Sequence, residues 1–453
     1  MAKFNREKAL RKIEFKRKWR NYSRYVYIAV PCVLCCLLCL YFAYSKFFVS
    51  EEQAVIRTTV GDFIYGDIVI SAYIDGEYSN TIPGKDDGYI VEKVSCDNDA
   101  IGKWNSDDWG IMVTDLSKRT KCNVYFKKKP DSKVPEIIAQ LDTSGKCPTV
   151  NDDGSVNVTG VEATNGYLCK AKDAYGDSYY YRGNVTNNYV KFADKYWRIV
   201  RINGDGTVRV IYDGTSAHAN GEASADRQIG TSAFNSSYND NAYVGYMYGK
   251  TGASTYADAH ANTNNSTIKT YIDDWYKTNI VGTTNEQYLA DNIFCNDRSM
   301  AGNNSGTGAG TSVTYYRWYN GPWESENYSK YNKKMMLTCS QKNDAFTVSD
   351  TTNGNGALTY PVGLLSTDEI ALAGGWNAAN SGYYLYSGQV WWASSPGGFD
   401  GDSALVRLVR SNGDADGGYY VDGNYGVRPV FNLKAEVLLQ GSGTAEDPYR
   451  ISS

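Results

Sequence analysis

Side chains that commonly carry acid–base or metal chemistry are few in this sequence of 453 residues, which contains two histidines, His218 and His260. Neither histidine lies in a metal-ligand spacing such as His-Glu-x-x-His, although histidine is the usual acid–base group at neutral pH. Asp368 and Glu369 form an acidic pair, but they follow Ser366 in a capping-box pattern, so we expect them in the first turn of a helix. The sequence therefore predicts no catalytic residues and no resident metal.

The stretch from Trp391 to Tyr425 has a composition suited to binding rather than to covalent chemistry. Aromatic rings alternate there with carboxylates and amides, a combination that suits sugar stacking or contact with proteins. Because successive strand residues point to opposite sides, we expect at least one of the two adjacent tryptophans in the core. We predict a ligand-binding face that comprises Trp391, Trp392, Phe399, Asp400, Asp402, Asn412, Asp414, Asp416, Tyr419, Tyr420, Asn424 and Tyr425.

Part of this stretch also has the spacing of calcium ligands. Asn412-x-Asp414-x-Asp416 matches the first half of an EF-hand loop, but the twelfth position, which should be Glu, is Gly423. A turn between two strands accounts for these residues better. We therefore predict no cofactor and keep calcium only as an alternative.

The residues of this face must be held in position by secondary structure, and the sequence predicts strands around them. Two apolar runs, residues 404–409 and 419–421, are joined by turn-forming residues 411–414, which predicts a hairpin. The run 427–433 contains Pro429 and is expected at a sheet edge or a bulge. Further upstream, the pattern predicts a helix over residues 266–279, because Ile268, Tyr271, Ile272 and Trp275 fall on one helical face.

These motifs resemble those of a known family. Ser395-Pro396 after the tryptophans, and Gly426-Val427-Arg428-Pro429-Val430 with Asn432-Leu433-Lys434, are similar to the closing third of an uncharacterised domain on surface proteins of low-GC Gram-positive bacteria. Asn296-Asp297-Arg298 and Tyr360-Pro361-Val362-Gly363-Leu364 match that domain as well. The domain itself resembles the C-type-lectin-like fold of formylglycine-generating enzymes and of retroelement variable proteins. The resemblance covers roughly residues 180–451.

The resemblance implies an α+β fold with few helices and many short antiparallel strands, whose closing region supplies a ligand-binding face. It also implies two variants of function. A receptor diversified by a retroelement fits the abundance of Asn, Asp, Ser, Gly and Tyr, which adenine-directed mutagenesis of Asn codons yields. The second hypothesis is a formylglycine-generating enzyme or another surface enzyme. A formylglycine-generating enzyme needs reactive cysteines near its C-terminal site, and no cysteine follows Cys339. A purely structural envelope protein is the third hypothesis.

The N-terminal part predicts a membrane anchor. Residues 1–24 hold ten Lys or Arg and two Glu, and residues 25–46 form an apolar segment long enough to cross a bilayer. The basic flank predicts a cytoplasmic N-terminus, so the bulk of the chain would be extracellular, as in a single-pass type II protein. A cleaved signal peptide is the alternative.

The charge of the remaining chain restricts its partners. Residues 25–453 carry a net charge of −12, which argues against a nucleic-acid partner and leaves an extracellular protein or glycan as the expected partner.

Composition divides the extracellular part into three regions. Short alternating strands predict a β-sandwich stalk over residues 50–129. A linker with a small disulfide lobe is expected at 130–175, and the C-type-lectin-like domain at 176–453. Six cysteines outside the apolar segment favour three disulfides, although reduced thiols are the alternative. We favour neighbouring pairs, because each pair falls within one predicted region: Cys96 with Cys122, Cys147 with Cys169, and Cys295 with Cys339.

Overall fold

The computed structural model describes residues 11, 14–19, 54–56, 63–65 and 68–451, with gaps at 86, 107, 116–118, 129–131, 159, 303, 319–333, 377, 416–417 and 439. The predicted membrane segment, residues 25–46, lies outside the described residues. Within the part of the chain that is described, no helix is both long and apolar enough to cross a membrane. The chain divides into two compact units, Met1–Pro130 and Asp131–Ser453, called unit 1 and unit 2 below.

Unit 1 is built from short strands in two sheets. One sheet has the order β1-β7-β6, and the other has the order β2-β3-β8-β5 with β4 beside β3. Strands β3 and β8 run parallel. The strands are β1 (Ala54–Ile56), β2 (Phe63–Tyr65), β3 (Ile68–Ile74), β4 (Glu77–Ser79), β5 (Tyr89–Cys96), β6 (Ile101–Asn105), β7 (Gly110–Thr114) and β8 (Thr120–Lys128).

Alternation of side chains along the strands builds the core of unit 1. Ile70 of β3 and Val124 of β8 are buried, and they share one apolar cluster with Ile111 of β7 from the other sheet. Along β8, the residues between the buried positions are exposed or partly exposed, as a strand with a period of two requires. These strands agree with the short alternating strands expected over residues 50–129.

The described part of unit 2 contains four α-helices and many short strands, which is a mixed α+β composition. The helices are α1 (Val134–Ile138), α2 (Tyr256–Ala259), α3 (Thr267–Asn279) and α4 (Thr367–Ala373). The strands are β9 (Val156–Asn157), β10 (Tyr167–Asp173), β11 (Gly176–Arg182), β12 (Tyr189–Phe192), β13 (Lys195–Ile202), β14 (Val208–Gly214), β15 (Thr231–Ser232), β16 (Met247–Tyr248), β17 (Asn264–Asn265), β18 (Phe294–Cys295), β19 (Thr314–Tyr315), β20 (Lys334–Met335), β21 (Ala345–Phe346), β22 (Trp391–Phe399), β23 (Ala404–Val409), β24 (Gly418–Tyr420), β25 (Tyr425–Gly426), β26 (Val430–Leu433) and β27 (Tyr449–Arg450).

Two sheets dominate unit 2. The larger has seven strands in the order β10-β11-β13-β12-β27, and β14 joins β13 to β26. The second has six strands in the order β15-β25-β22-β23-β24, with β19 beside β22. Trp197 and Phe431 of the first sheet, Trp392 of the second and Ile272 of α3 belong to one buried cluster.

Local signals set the helix starts of unit 2. The Ser266 side chain accepts a hydrogen bond from the Lys269 amide at the start of α3. At the start of α4, Ser366 and Glu369 form a reciprocal capping box. Both helices were predicted, because caps and apolar periodicity are encoded within a few neighbouring residues.

The region 130–175, expected to be a linker with a small lobe, is part of unit 2. Strand β10 pairs along its whole length with β11, from Tyr167 opposite Arg182 to Asp173 opposite Gly176. The Lys133 amide donates to the Leu438 carbonyl, and Ile137 is fully buried. Polar composition suggested a linker, but paired strands and a buried apolar side chain make this region structural.

All three expected disulfides are present. They join Cys96 to Cys122 in unit 1, and Cys147 to Cys169 and Cys295 to Cys339 in unit 2. The sequence separations of 26, 22 and 44 residues keep each bond within one unit. The pairing of neighbouring cysteines is therefore confirmed.

Candidate functional site

The aromatic residues of the predicted face lie mostly in the core. Trp391, Trp392 and Phe399 are at most 1% exposed, so their assignment to a ligand-contacting face is wrong. The reason is the position of β22, whose nine residues are all buried between neighbouring strands of the six-stranded sheet. The Trp392 indole donates to the Ser232 carbonyl at 2.9 Å, which satisfies its one polar group.

The polar residues of the predicted face separate into two groups. Asp400 and Asp402 precede β23, whereas Asn412 and Asp414 follow it. The six residues of β23 place these groups about 17 Å apart, since a strand rises roughly 3.3 Å per residue. The structure therefore does not bring all twelve predicted residues into one site.

The calcium alternative falls on the turn after β23. The Gly413 amide donates to the Arg410 carbonyl at 2.9 Å, and the Asp414 carboxylate pairs with the Arg410 guanidinium at 2.5 Å. Gly413 has a φ of +88°, which glycine tolerates in a tight turn. Asp416 lies outside the described residues. Elsewhere in the described ranges, no three His, Cys, Asp or Glu side chains form a group that could hold a metal.

Three separate segments, each carrying a large exposed side chain, come together at the start of β23. Tyr420 is 55% exposed, Tyr238 44% and Val313 43%. The Ala404 amide donates to the Tyr238 carbonyl at 2.7 Å, and the Ala404 carbonyl accepts from the Val421 amide at 3.1 Å. Together with the exposed carboxylates beside them, these residues are called the tyrosine–aspartate surface: Tyr238, Val313, Asp400, Asp402, Tyr420 and Asp422.

The loop between β22 and β23 has a defined conformation. The Asp400 carboxylate accepts hydrogen bonds from the amides of Asp402 at 3.0 Å and Ser403 at 2.8 Å. Gly401 between them has a φ of +108°, which disfavours any residue with a Cβ. A Cβ at Gly401 would lie 3.3 Å from the Val313 side chain, so the two loops are in contact.

Aromatic packing supports the surface from below. The Tyr425 ring packs edge-on against Trp392 with a centroid distance of 5.2 Å, and against Tyr419 at 5.8 Å. Tyr419 and Tyr425 are partly buried, so they contribute more to this support than to a binding face. Asn424 is exposed in the turn that joins β24 to β25.

Sequence reasoning missed three members of this surface. Tyr238, Val313 and Asp422 were not predicted as site residues. Tyr238 could have been found, because residues 235–240 read Asn-Ser-Ser-Tyr-Asn-Asp, a composition typical of binding loops. Val313 lies in a loop without a distinguishing pattern, and only the fold places it here.

The two histidines tie loops together. His260 is fully buried, and burial together with Arg298 lowers its pKa to about 2, so the ring is neutral. His218 contacts Glu222 at 2.7 Å through Nδ1 and Asp226 at 2.9 Å through Nε2. The His218 hydrogen bond lowers the pKa of the Glu222 carboxyl.

The acidic pair at the start of α4 faces arginines. The Glu369 carboxylate forms an ion pair with Arg209, 2.7 Å from its Nε, and accepts a hydrogen bond from the Arg201 Nε at 3.2 Å. Burial opposes ionisation of Glu369, but these two guanidiniums outweigh it and lower the pKa of the carboxyl. Asp368 pairs with Arg317 at 2.5 Å. Arg201, Arg209, Asp368 and Glu369 line a small pocket, and the two Glu369 ion pairs fix α4 against β13 and β14.

The fold and the site thus define a mixed α+β protein that carries an exposed surface assembled from loops. A family model described as a domain of unknown function (DUF6273) matches residues 264–435 of this chain. That segment runs from β17 to the residues after β26, and it includes the tyrosine–aspartate surface except Tyr238. No curated protein and no solved structure matches the chain.

Proposed function

We propose that this chain is a membrane-anchored bacterial cell-surface protein that binds an extracellular protein or glycan through the tyrosine–aspartate surface. The observation that carries the proposal is the convergence of Tyr238, Val313 and Tyr420, which are large, exposed and drawn from three separate segments. Exposed apolar side chains grouped beside polar ones mark interaction sites on soluble surfaces. Loops on a rigid base are also the usual carriers of binding residues.

The charges of this surface restrict its ligands. Asp400, Asp402 and Asp422 are exposed carboxylates, which accept hydrogen bonds from hydroxyl or ammonium groups and repel anions. Tyrosine rings add stacking area at a small cost in side-chain entropy. We therefore favour a neutral glycan or a basic protein segment as the ligand.

The proposed location rests on the N-terminal sequence and on the disulfides. Residues 1–46 have the basic-then-apolar pattern of a signal anchor. Three disulfides in the described chain are typical of proteins that fold outside the cytosol. Protease treatment of intact cells should digest unit 2 and leave residues 1–24 protected; protection of unit 2 would contradict the proposed topology.

The C-type-lectin-like resemblance makes diversification by a retroelement a specific part of this proposal. Variation should then fall on exposed residues such as Asp400, Asp402, Tyr420 and Asp422, and spare the buried Trp392. Sequencing of sibling isolates tests it. Identical residues at the exposed positions in every isolate would remove the retroelement from the proposal.

Binding is tested with the full-length chain, purified with its disulfides oxidised, on glycan and protein arrays with and without calcium. The test variant combines Tyr238→Ser and Tyr420→Ser, which remove ring area without disturbing the core. Asn412→Ser is the matched control, because Asn412 is exposed at the opposite end of β23.

Selective binding that the double variant loses and the control keeps would support the proposed surface. Equal binding by all three proteins would place the site elsewhere. If none of them binds, the structural-envelope hypothesis becomes the better one. Calcium dependence lost in the control variant would point to the turn at Asn412.

A further inference from the structure

Backbone contacts at Ala404 hold both tyrosines of the tyrosine–aspartate surface close to one of its aspartates. The Ala404 amide donates to the Tyr238 carbonyl at 2.7 Å, and the Ala404 carbonyl accepts from the Val421 amide at 3.1 Å. Tyr420 and Asp422 are the two chain neighbours of Val421. Since consecutive Cα atoms lie about 3.8 Å apart, both rings and a carboxylate start from one short stretch of backbone.

The carboxylates of this surface have no cation beside them. Asp400 accepts hydrogen bonds from two amides of its own loop, and Asp402 and Asp422 are exposed. Within the described part of the chain, none of these three aspartates forms an ion pair with a lysine, an arginine or a histidine. Their negative charge is therefore available to a partner.

Other exposed carboxylates of unit 2 have a cation as a neighbour. Asp177 pairs with Lys170 at 2.6 Å, and Asp153 pairs with Lys334 at 2.9 Å. Charge compensation is thus present elsewhere on the same unit. Its absence among the three aspartates sets the tyrosine–aspartate surface apart from these parts of unit 2.

The segments around the surface are acidic as a whole. They contain four aspartates, one arginine and neither lysine nor glutamate, which gives a net charge of −3, and they comprise residues 235–243, 299–316, 398–407 and 418–425. The arginine, Arg407, is fully buried. The adjoining segment 249–258, whose Gly252 amide donates to Asp240, holds one lysine and one aspartate and adds no net charge. A cationic partner would therefore be attracted to this surface.

We propose that the tyrosine–aspartate surface binds a basic segment of another protein through arginine side chains. This inference rests on the proposed function and names the partner of that surface. A guanidinium can stack on a tyrosine ring and pair bidentately with a carboxylate, and Tyr420 and Asp422 offer both groups two residues apart. The exposed Val313 adds aliphatic surface for apolar side chains of the same segment.

Other classes of partner use this surface less completely. A neutral glycan would leave the three carboxylates without a counter-charge, and it would have little use for the aliphatic Val313. A nucleic acid would be repelled, since its phosphates need a basic face. Lysine would supply the charge, but its compact ammonium group neither stacks as a plane nor forms a bidentate pair.

The experiment measures binding of the full-length chain, with its disulfides oxidised, to a fluorescent peptide of alternating glycine and arginine. Two matched peptides replace every arginine by lysine or by citrulline, which keeps the planar shape of arginine without its charge. The test variant combines Asp402→Asn and Asp422→Asn. The control combines Asp274→Asn and Glu446→Gln, which also removes two exposed carboxylates but outside the surface.

We expect the test variant to bind the arginine peptide about tenfold more weakly than the natural chain, equal to about 1.4 kcal/mol, which two exposed ion pairs can supply. The control variant should bind as the natural chain does, and added salt should weaken binding by both. The lysine peptide should bind more weakly, and the citrulline peptide should not bind. Absence of arginine-peptide binding, equal affinity for either matched peptide, or equal losses in the two variants would each overturn the inference.

The array experiment separates a failure of this inference from a failure of the proposed function. A ligand that needs Tyr238 and Tyr420 but binds the aspartate variant with unchanged affinity would overturn the arginine inference and leave the surface as the binding site. Array binding that persists in the tyrosine variant would overturn the proposed surface, and this inference with it.

Discussion

The tyrosine–aspartate surface of unit 2 and the tyrosine row of unit 1, which consists of Tyr78, Tyr73 and Tyr125, use the same aromatic residue on different supports. In unit 2, loops from separate segments converge, and buried groups hold them in place. In unit 1, strand register alone lines up Tyr78, Tyr73 and Tyr125. The loops can therefore change sequence without changing the base beneath them, whereas each tyrosine of the row is a packing partner of the next.

The two surfaces also differ in charge. Exposed aspartates surround the unit 2 tyrosines, whereas lysines and carboxylates together flank the unit 1 tyrosines. The net charge of −4 for the whole chain does not reveal the local charge around either set of tyrosines. Partners of this protein are thus better inferred from each surface than from the average composition.

The largest expected effect comes from the buried ion pairs of unit 2, which have no counterpart among the described residues of unit 1. Glu369→Ala leaves Arg201 and Arg209 without their shared carboxylate, and we expect a loss of about 5 kcal/mol in the free energy of unfolding. Hydrogen exchange followed by mass spectrometry should show faster exchange throughout unit 2 and unchanged exchange in unit 1. Glu446→Gln, an exposed carboxylate, is the control. Slower or unchanged exchange in unit 2 would contradict the role given to Glu369.

The next largest effect is a difference in stability between variants of the buried support and variants of the exposed surface within unit 2. Trp392→Ala should cost about 3–4 kcal/mol of stability, because the side chain is fully buried. Tyr420→Ala should change stability by less than about 0.5 kcal/mol, since exposed positions tolerate substitution. Urea unfolding measures both. A large loss in Tyr420→Ala would show that this residue belongs to the core.

Within unit 1, the tyrosine row should contribute to stability. Tyr73→Ala removes a stacked neighbour of Tyr125 and an edge contact of Tyr78, so we expect a loss of about 1–1.5 kcal/mol. Thermal unfolding of this variant, compared with Tyr420→Ala, measures how differently the two surfaces depend on their tyrosines. If the two variants are equally stable, the unit 1 tyrosines do not depend on their strand neighbours more than the unit 2 tyrosines depend on their loops.

The smallest expected effect depends on pH. His218 lowers the pKa of the Glu222 carboxyl, and for Asp226 the hydrogen bonds from His218 and Thr215 outweigh the opposing effect of burial. Lowered folded-state pKa values stabilise the protein above the unfolded pKa of about 4, and this stability disappears as the pH falls through the folded-state pKa. His218→Gln should therefore lose less than about 1 kcal/mol at pH 6, and the difference from the natural protein should vanish near pH 2. Urea midpoints across this range test the sign; a difference that grows on acidification would contradict it.

Much of the fold was predictable because its signals are local. The capping box at Ser366, the apolar face of α3 and the alternation along β8 each depend on a few neighbouring residues. The pairing of β10 with β11 was missed, since polar residues around it read as a linker. Strand pairing depends on partners elsewhere in the chain, which composition does not reveal.

The candidate site was predicted less well. Composition singled out residues 391–425 as a ligand-binding face, but it could not separate the buried Trp391 and Trp392 from the exposed Tyr420. Adjacent strand residues are expected on opposite faces of a sheet, so at least one tryptophan was expected in the core. Both faces of β22 are covered, and both tryptophans are therefore buried. Tyr238 and Val313 reach the site only through the tertiary fold.

The connectivity of the seven-stranded sheet has a consequence for synthesis. Strand β14 pairs with β26, and β12 pairs with β27, so sheet partners are separated by more than 200 residues of sequence. A nascent chain cannot complete this sheet until residue 450 has been made, whereas every strand of unit 1 is available by residue 128. Unit 1 should therefore fold while the chain is still being made, and unit 2 should depend on protection from aggregation until synthesis ends.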